Sequence, residues 1–423
     1  MPVGPVPRPL LPDDSEVRDG RLAIGGCDVI DLTAEHGTPL FVYAEDDLRR
    51  RCGEAVAAFG EGVAYAAKAF LCTAMARLAH EEGMWIDVAT GGELHVALRA
   101  GVPAERLILH GNNKSFHELE MALGADVGRV VIDSMEEIDR IERLVASGHR
   151  VPRVLVRVNP GIDAHTHEYL ETGRADSKFG FGLASGAAAD AVDRLRSSST
   201  AELVGIHAHI GSQVFDIGSF ARAVETLAPF IKARGLPEFS IGGGLGVPYV
   251  TGEEAPSIAA WAETIHAACA AAGVSANVVA EPGRAIVAGA AVTVYTVGTI
   301  KAVPGVRTYV AVDGGMSDNP RPVLYDSGYE AFLPRATDRD RPLRVRVVGK
   351  HCESGDVIVH EANLPEDVVV GDVLATPVTG AYGHAMGSNY NMVLRPAVVF
   401  ARGGASRVVV RRETYEDLMA RDA

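Results

Sequence analysis

Eight short apolar runs, evenly interleaved with helix-like segments, constrain the fold of this chain more than any other feature. The runs cover residues 63–67, 85–89, 107–110, 130–133, 154–158, 203–209, 238–241 and 278–281. Between them lie Ala/Leu/Glu/Arg-rich stretches at 72–82, 92–100, 115–123, 135–146, 187–195, 219–233 and 257–271. Strands that alternate with helices imply parallel βαβ units. Eight such units predict a (β/α)8 barrel of the TIM type. A doubly wound sheet is the alternative with the same rhythm.

After residue 290 the pattern changes. Val-rich segments at 292–297, 309–312, 343–348, 357–360, 368–370, 398–401 and 408–412 are punctuated by glycine and proline, which predicts an antiparallel β domain. Residues 21–24 and 39–43 also read as strands, and they precede the barrel. They are expected to pack with the C-terminal β domain, so that the barrel is inserted between two β pieces. The expected organisation is an N-terminal segment 1–44, a barrel 45–289 and a β domain 290–423. A chain of 423 residues is too long for one compact core, which agrees with more than one domain.

The formal net charge of −15 and the lack of a basic stripe speak against nucleic acid as a partner. No apolar run has the length that spans a bilayer. The proline-rich start of the chain lacks the charged-then-apolar layout of a signal peptide. Five scattered cysteines (Cys27, Cys52, Cys72, Cys269 and Cys352) show no metal-like pairing and fit a reducing cytoplasm.

In a barrel of this kind the reactive face lies at the C-terminal ends of the strands. Lys68, His209, the glycines 242–244 and Glu281 end the first, sixth, seventh and eighth runs, and therefore converge. A lysine at the end of an apolar strand is expected to be partly desolvated, which lowers its pKa and makes it a nucleophile toward an aldehyde. Gly243 and Gly244 leave backbone N–H groups open to a phosphate, helped by a following helix N-terminus, with Ser212 adding a hydroxyl. Glu281 needs a cationic partner. A protonated pyridine nitrogen would serve, and an ion pair with Arg284 is the structural alternative. His207 and His209 share a strand face. Stacking of His209 on a flat cofactor ring, with His207 in the core, fits better than a metal pair. His165 and His167 lie in a polar loop. Together these residues outline a site for pyridoxal 5'-phosphate.

The segments 65–70 (YAAKAF), 207–212 (HAHIGS), 242–244 (GGG), 281–284 (EPGR), 352–356 (CESGD) and 380–383 (GAYG) resemble the fold-type-III pyridoxal-phosphate decarboxylases. Residues 165–180, with HTHEY and SKFG, and 319–325 (NPRPVLY) are most similar to the branch that converts meso-2,6-diaminopimelate to L-lysine and carbon dioxide. The resemblance implies that Lys68 holds the cofactor as a Schiff base and that His209 stacks on its ring. It also places Ser212, Gly243, Gly244, Gly283 and the Arg284 backbone on the phosphate side and the Glu281 carboxylate on the ring nitrogen. Arg284, Arg321 and Tyr325 would bind the substrate's distal carboxylate. Cys352, Glu353 and Tyr382 would come from the second subunit of a homodimer, with Cys352 protonating the carbanion. Thr90 and Leu394 depart from the family pattern, at positions without a catalytic role.

The residues alone reach pyridoxal-dependent carbanion chemistry without separating decarboxylation from racemisation. A racemase relative would present a tyrosine where Cys352 stands. An ornithine or arginine decarboxylase would need an acidic residue for the distal amine, whereas a guanidinium matches a carboxylate fork. A non-catalytic pyridoxal-phosphate carrier would resemble the barrel alone.

Overall fold

The computed structural model describes residues 4–162 and 177–423. The loop histidines His165 and His167, and with them Tyr169 and Thr172 of the same motif, lie outside the described residues. The chain divides into two compact units. One comprises residues 1–50, 248–254 and 286–423, the other 51–247 and 255–285.

The second unit is the barrel. Its strands are Ala64–Ala66, Trp85–Val88, Leu107–Leu109, Arg129–Ile132, Arg153–Asn159, Glu202–His207, Glu238–Ser240 and Asn277–Val279. All pair in parallel, each with its neighbour in sequence. The ring closes where the Ala64 and Ala66 N–H groups donate to the Ala280 and Pro282 carbonyls at 3.0 and 3.1 Å. Each of the eight apolar runs is a strand of this ring. Ala64, Ile108, Val131, Leu155 and Val204 form one apolar cluster of the barrel, with Trp85 packed against it.

The helices begin where short polar side chains satisfy their first N–H groups. Ser115 and Glu118 form a reciprocal capping box at Phe116–Ala125. Ser134 caps Met135–Ala146 and Ser257 caps Ile258–Ala272. Thr90, one of the two departures from the family pattern, caps Gly91–Arg99 by accepting from the Glu93 N–H at 3.2 Å.

The other unit is built on one large sheet. Leu40–Ala44 lies inside it, antiparallel to Ala291–Val303 and parallel to Ala397–Arg402. The long strand Ala291–Val303 also pairs with Val373–Pro377 and Arg307–Val312. Leu343–Val348, Val357–Leu364 and Ala405–Val410 complete the sheet. Arg307–Val312 and Leu343–Val348 run parallel, so the sheet is mixed, with mostly antiparallel pairs.

Arg21–Ile24 belongs to a separate three-stranded sheet. Its Leu22 and Ile24 bury into the same core as Leu40, Val42, Val292 and Val399, so the N-terminal strands do pack with the C-terminal ones. Residues 368–370 are a turn rather than a strand. Asp372 accepts from the Val369 N–H at 2.8 Å, and Val369 and Val370 are exposed. The strand at this place is Val373–Pro377. Among the described residues no helix is long and apolar enough to cross a membrane. All five cysteines are free.

Candidate active site

Lys68 sits on a single 3-10 turn, Ala67–Ala69, that follows the first barrel strand. The Tyr65 hydroxyl donates to the Phe70 carbonyl at 2.6 Å and closes the bend. Residues 63–67, 69 and 70 are buried, and Lys68 alone among them is exposed. The expectation of a desolvated ammonium is therefore not met, because the turn swings the side chain out of the apolar run. Its charge nevertheless bears on Asp87, Glu93 and His209.

The turn after the eighth strand packs directly on this bend. A Cβ on Gly283 would sit 2.9 Å from both the Ala66 Cβ and the Ala66 carbonyl oxygen, so only glycine brings 281–284 so close to Lys68. The three glycines after the seventh strand are wedged in the same way. A Cβ on Gly243 would meet the Glu281 carbonyl oxygen at 2.3 Å, and one on Gly244, where φ is +112°, the Gly211 carbonyl oxygen at 2.1 Å. Two expectations for these glycines need correction. The Gly243 N–H donates to His209 Nδ1 at 3.2 Å and so is not left open to an anion. No helix follows directly either, since the next one starts at Ile258.

Glu281 is 5% exposed and does not pair with Arg284. Its Oε1 accepts from the Ser240 hydroxyl at 2.7 Å, and its Oε2 lies 3.0 Å from His207 Nε2. Arg284 instead donates to the Ser212 hydroxyl at 2.9 Å, which joins two of the expected site residues. His110 Nε2 lies 3.6 Å from Glu281 Oε1 and 3.6 Å from Asp87 Oδ1. His110, His207 and Glu281 thus form a compact buried group with metal-like spacing. His209 stands outside it, beyond the end of the strand that carries His207.

Burial sets the protonation here. It pushes His207 down to about 4, so that ring is neutral near pH 7. Burial and the nearby Lys68 and Arg157 cations hold His209 well below the usual histidine range. Burial opposes a charged His110 as well, but the two carboxylates beside it outweigh that cost and raise its pKa. Burial would raise Glu281, yet His207 and His110 keep it well below the usual carboxylate range. Arg157, buried 4.4 Å over the Phe179 ring and 3.7 Å from Asp133, is pulled down by burial.

Sequence reasoning missed Asp87, His110, Arg157 and Ser240. The signal was present, because Asp87, His110 and Ser240 are polar residues in or just after apolar strands. The same feature singled out Lys68 and Glu281.

In the sheet unit three loops converge. His351 Nε2 lies 2.8 Å from the Ser317 hydroxyl, and Asp356 accepts from the Met316 N–H at 2.6 Å. The Ser388 N–H donates to the Ser317 carbonyl at 3.0 Å. These contacts gather the loops that carry Arg321, Cys352 and Tyr382. Arg321 is 3% exposed, lies 4.0 Å over the Tyr249 ring and donates to the Tyr329 hydroxyl at 2.6 Å. Tyr325 ends the short helix Arg321–Tyr325 and is partly exposed. Cys352 and Glu353 are exposed. Tyr382 is partly buried, on left-handed backbone with φ of +60°.

Residues 45–288 match the family model described as pyridoxal-dependent decarboxylase, pyridoxal binding domain. The chain belongs to the pyridoxal-dependent decarboxylases. Its relatives there include the diaminopimelate decarboxylase of Mycobacterium tuberculosis, 46% identical over 422 residues that cover 95% of this chain and 94% of that one. The enzyme of the same name from Bacillus subtilis is 44% identical, covering 95% of each chain. Among solved structures, diaminopimelate decarboxylase from M. jannaschii in complex with L-lysine superposes with a TM-score of 0.90 at 32% identity, over 97% of this chain and 98% of that one. A lysine/ornithine decarboxylase from Vibrio vulnificus, at 23% identity and a TM-score of 0.75, shares the fold.

The cofactor of this family is pyridoxal phosphate, and the barrel residues fit it. An exposed amine stands at the reactive end of the barrel. The glycines beside it let the strand-end backbones draw together where any Cβ would clash, and a buried carboxylate is held ionised nearby.

Proposed function

We propose that the protein decarboxylates meso-2,6-diaminopimelate to L-lysine and carbon dioxide, the last step of lysine biosynthesis. We further propose that it works in the cytoplasm as a homodimer with shared active sites. The observation that carries the substrate is Arg321. A buried guanidinium stacked on one tyrosine and bonded to another is suited to a carboxylate, and diaminopimelate is an amino acid with a second one. The names of the relatives and the L-lysine in solved neighbours support the same choice.

Bound pyridoxal phosphate supplies an electron sink for the pair left behind when carbon dioxide departs. In this reading Lys68 Nζ would hold the cofactor aldehyde. The Glu281 carboxylate would face the ring nitrogen and favour a proton there. His209, neutral, would cover one ring face. Ser212, Gly244, Gly283 and the Arg284 backbone would surround the phosphate, with Gly243, its N–H taken by His209, contributing only its lack of a side chain. Arg284, Arg321 and Tyr325 orient the distal carboxylate, so that the other carboxylate is the one lost. Cys352, with Glu353 and Tyr382, comes from a second copy of the chain. Its thiol proton goes to the carbon that lost carbon dioxide, and the thiolate regains a proton from water. A thiol suits this task because its ordinary pKa of about 8.5 leaves it mostly protonated near neutrality.

The test is carbon dioxide release by purified protein from meso-diaminopimelate, lysine, ornithine and arginine. Diaminopimelate should give the highest kcat/KM. A higher value for any of the others would overturn the assignment.

A further inference from the structure

We propose that His110 is a positioning residue for Glu281, and that with Asp87 it forms a buried unit that fixes the charge and orientation of that carboxylate toward the cofactor ring nitrogen. The inference rests on the reading that Glu281 faces that nitrogen.

His110 Nε2 stands 3.6 Å from an oxygen of each carboxylate. Asp87 is 6% exposed, His110 7% and Glu281 5%, so none of the three is neutralised by water. Two carboxylates this close inside a protein cannot both ionise without a cation between them. His110 supplies one. Both carboxylates raise its proton affinity, and burial raises that of Asp87.

One proton shared by Asp87 and His110 leaves that pair neutral as a unit, whichever of the two carries it. The second imidazole at Glu281, His207, is neutral by burial. The trio of Asp87, His110 and Glu281 is then left with one net negative charge, on Glu281. The ring-nitrogen cation would face that charge, with buried Arg157 a further cation whose charge bears on the same carboxylates.

Geometry follows from the same contacts. Ser240 donates to Glu281 Oε1, and His207 bonds Oε2. His110 packs edge-on against His207 with ring centroids 4.9 Å apart. Removing His110 would take away the cation that lies 3.6 Å from an oxygen of each carboxylate. One of them must then take up a proton or turn away, and the pairing with the ring nitrogen weakens.

The test compares binding of two cofactors to cofactor-free protein: pyridoxal phosphate and its 1-deaza analogue, which has carbon in place of the ring nitrogen. The proteins are the parent, Glu281→Gln, His110→Gln and Asp87→Asn, with affinity read from fluorescence titration. In the parent, pyridoxal phosphate should bind more tightly than the analogue. Glu281→Gln should abolish that preference. His110→Gln should reduce it about tenfold while leaving affinity for the analogue within a factor of two. Asp87→Asn should shift it in the same direction, and it carries the test if His110→Gln does not fold. Equal losses for both cofactors in the His110 and Asp87 variants, with the preference abolished only in Glu281→Gln, would overturn the proposal and leave the role of Glu281 standing. A preference for pyridoxal phosphate over the analogue that Glu281→Gln leaves at the parental level would overturn both.

Discussion

Replacing Arg321 by lysine keeps the charge and removes the planar fork. The parent guanidinium is 3% exposed, spans the Tyr249 face at 4.0 Å and reaches the Tyr329 hydroxyl at 2.6 Å. A lysine would meet the substrate's distal carboxylate as a point charge, losing one charge-assisted hydrogen bond and the preset orientation. Such a bond is worth about 1.5–3 kcal/mol. At 1.36 kcal/mol per factor of ten, a loss of about 2–3 kcal/mol corresponds to a roughly 30- to 150-fold lower kcat/KM. The contact is the same before and during bond cleavage, so the loss should fall on KM with kcat nearly kept. Arg321→Ala leaves the carboxylate without a partner and should cost about 2–5 kcal/mol. The assay is steady-state carbon dioxide release, with thermal unfolding as a check that the variant folds. Inhibition by the product L-lysine, which retains the distal carboxylate, should weaken in parallel. Inhibition by cadaverine, which has none, should not change. A KM for diaminopimelate within threefold of the parent, or equal loss of cadaverine and lysine inhibition, would refute the role of Arg321.

Borohydride reduction of the holoprotein should fix the pyridoxyl group on Lys68, and a peptide map showing it on any other lysine would refute that assignment. Glu281→Gln should lower kcat by orders of magnitude, since the ring nitrogen loses the anion that holds its proton, and near-normal turnover would make Glu281 structural. Lys68→Ala and Cys352→Ala, each nearly inactive alone, should recover up to about a quarter of parental activity when mixed under subunit exchange, because half the dimers are mixed and each has one intact site of two. Absence of recovery despite demonstrated exchange would place both residues in one subunit's site. Burial raises Asp318 from 3.8 to about 7, so the folded state holds a proton that the unfolded chain has released, and stability falls as pH climbs from about 4 to 7. Asp318→Asn removes this dependence. Denaturant titration should show the variant gaining on the parent by up to about 4 kcal/mol between pH 4 and pH 8, at 1.36 kcal/mol per pKa unit, and a pH-independent difference would contradict the assignment.

The barrel was legible because each of its strands is a compact apolar run bounded by a helix, a signal that repeats eight times. Val373–Pro377 was not legible. It lies beside the equally Val-rich turn at 368–370, and composition does not distinguish a strand from a turn pinned by the Asp372 side chain. The site was legible where a residue is conspicuous. Lys68 and Glu281 stand out from apolar neighbours, and the triple glycine is visible in any register. Their mode of action was less so. The glycines are required by close approach of the backbones of 211 and 281, which only the three-dimensional arrangement reveals. The partners of Glu281 come from four different strands, and no spacing in the sequence links Asp87, His110, His207 and Ser240.

Leu40–Ala44 has one sheet neighbour, Ala291–Val303, from beyond the barrel sequence and the other, Ala397–Arg402, from near the chain end. During synthesis this strand, buried throughout in the finished sheet, emerges early, waits for the barrel sequence to be made before its first partner exists, and waits for nearly the whole chain before the second does. The barrel's residues, 51–247 and 255–285, are complete before either partner is. A ribosome delivering the chain from its N-terminus therefore favours a barrel that folds first while a sticky apolar segment hangs unpaired. Pairing that segment then closes a very long loop, a step that sets the pace more than the final stability. Chaperone dependence and aggregation during expression should consequently track the sequence of residues 40–44 more closely than that of any barrel strand.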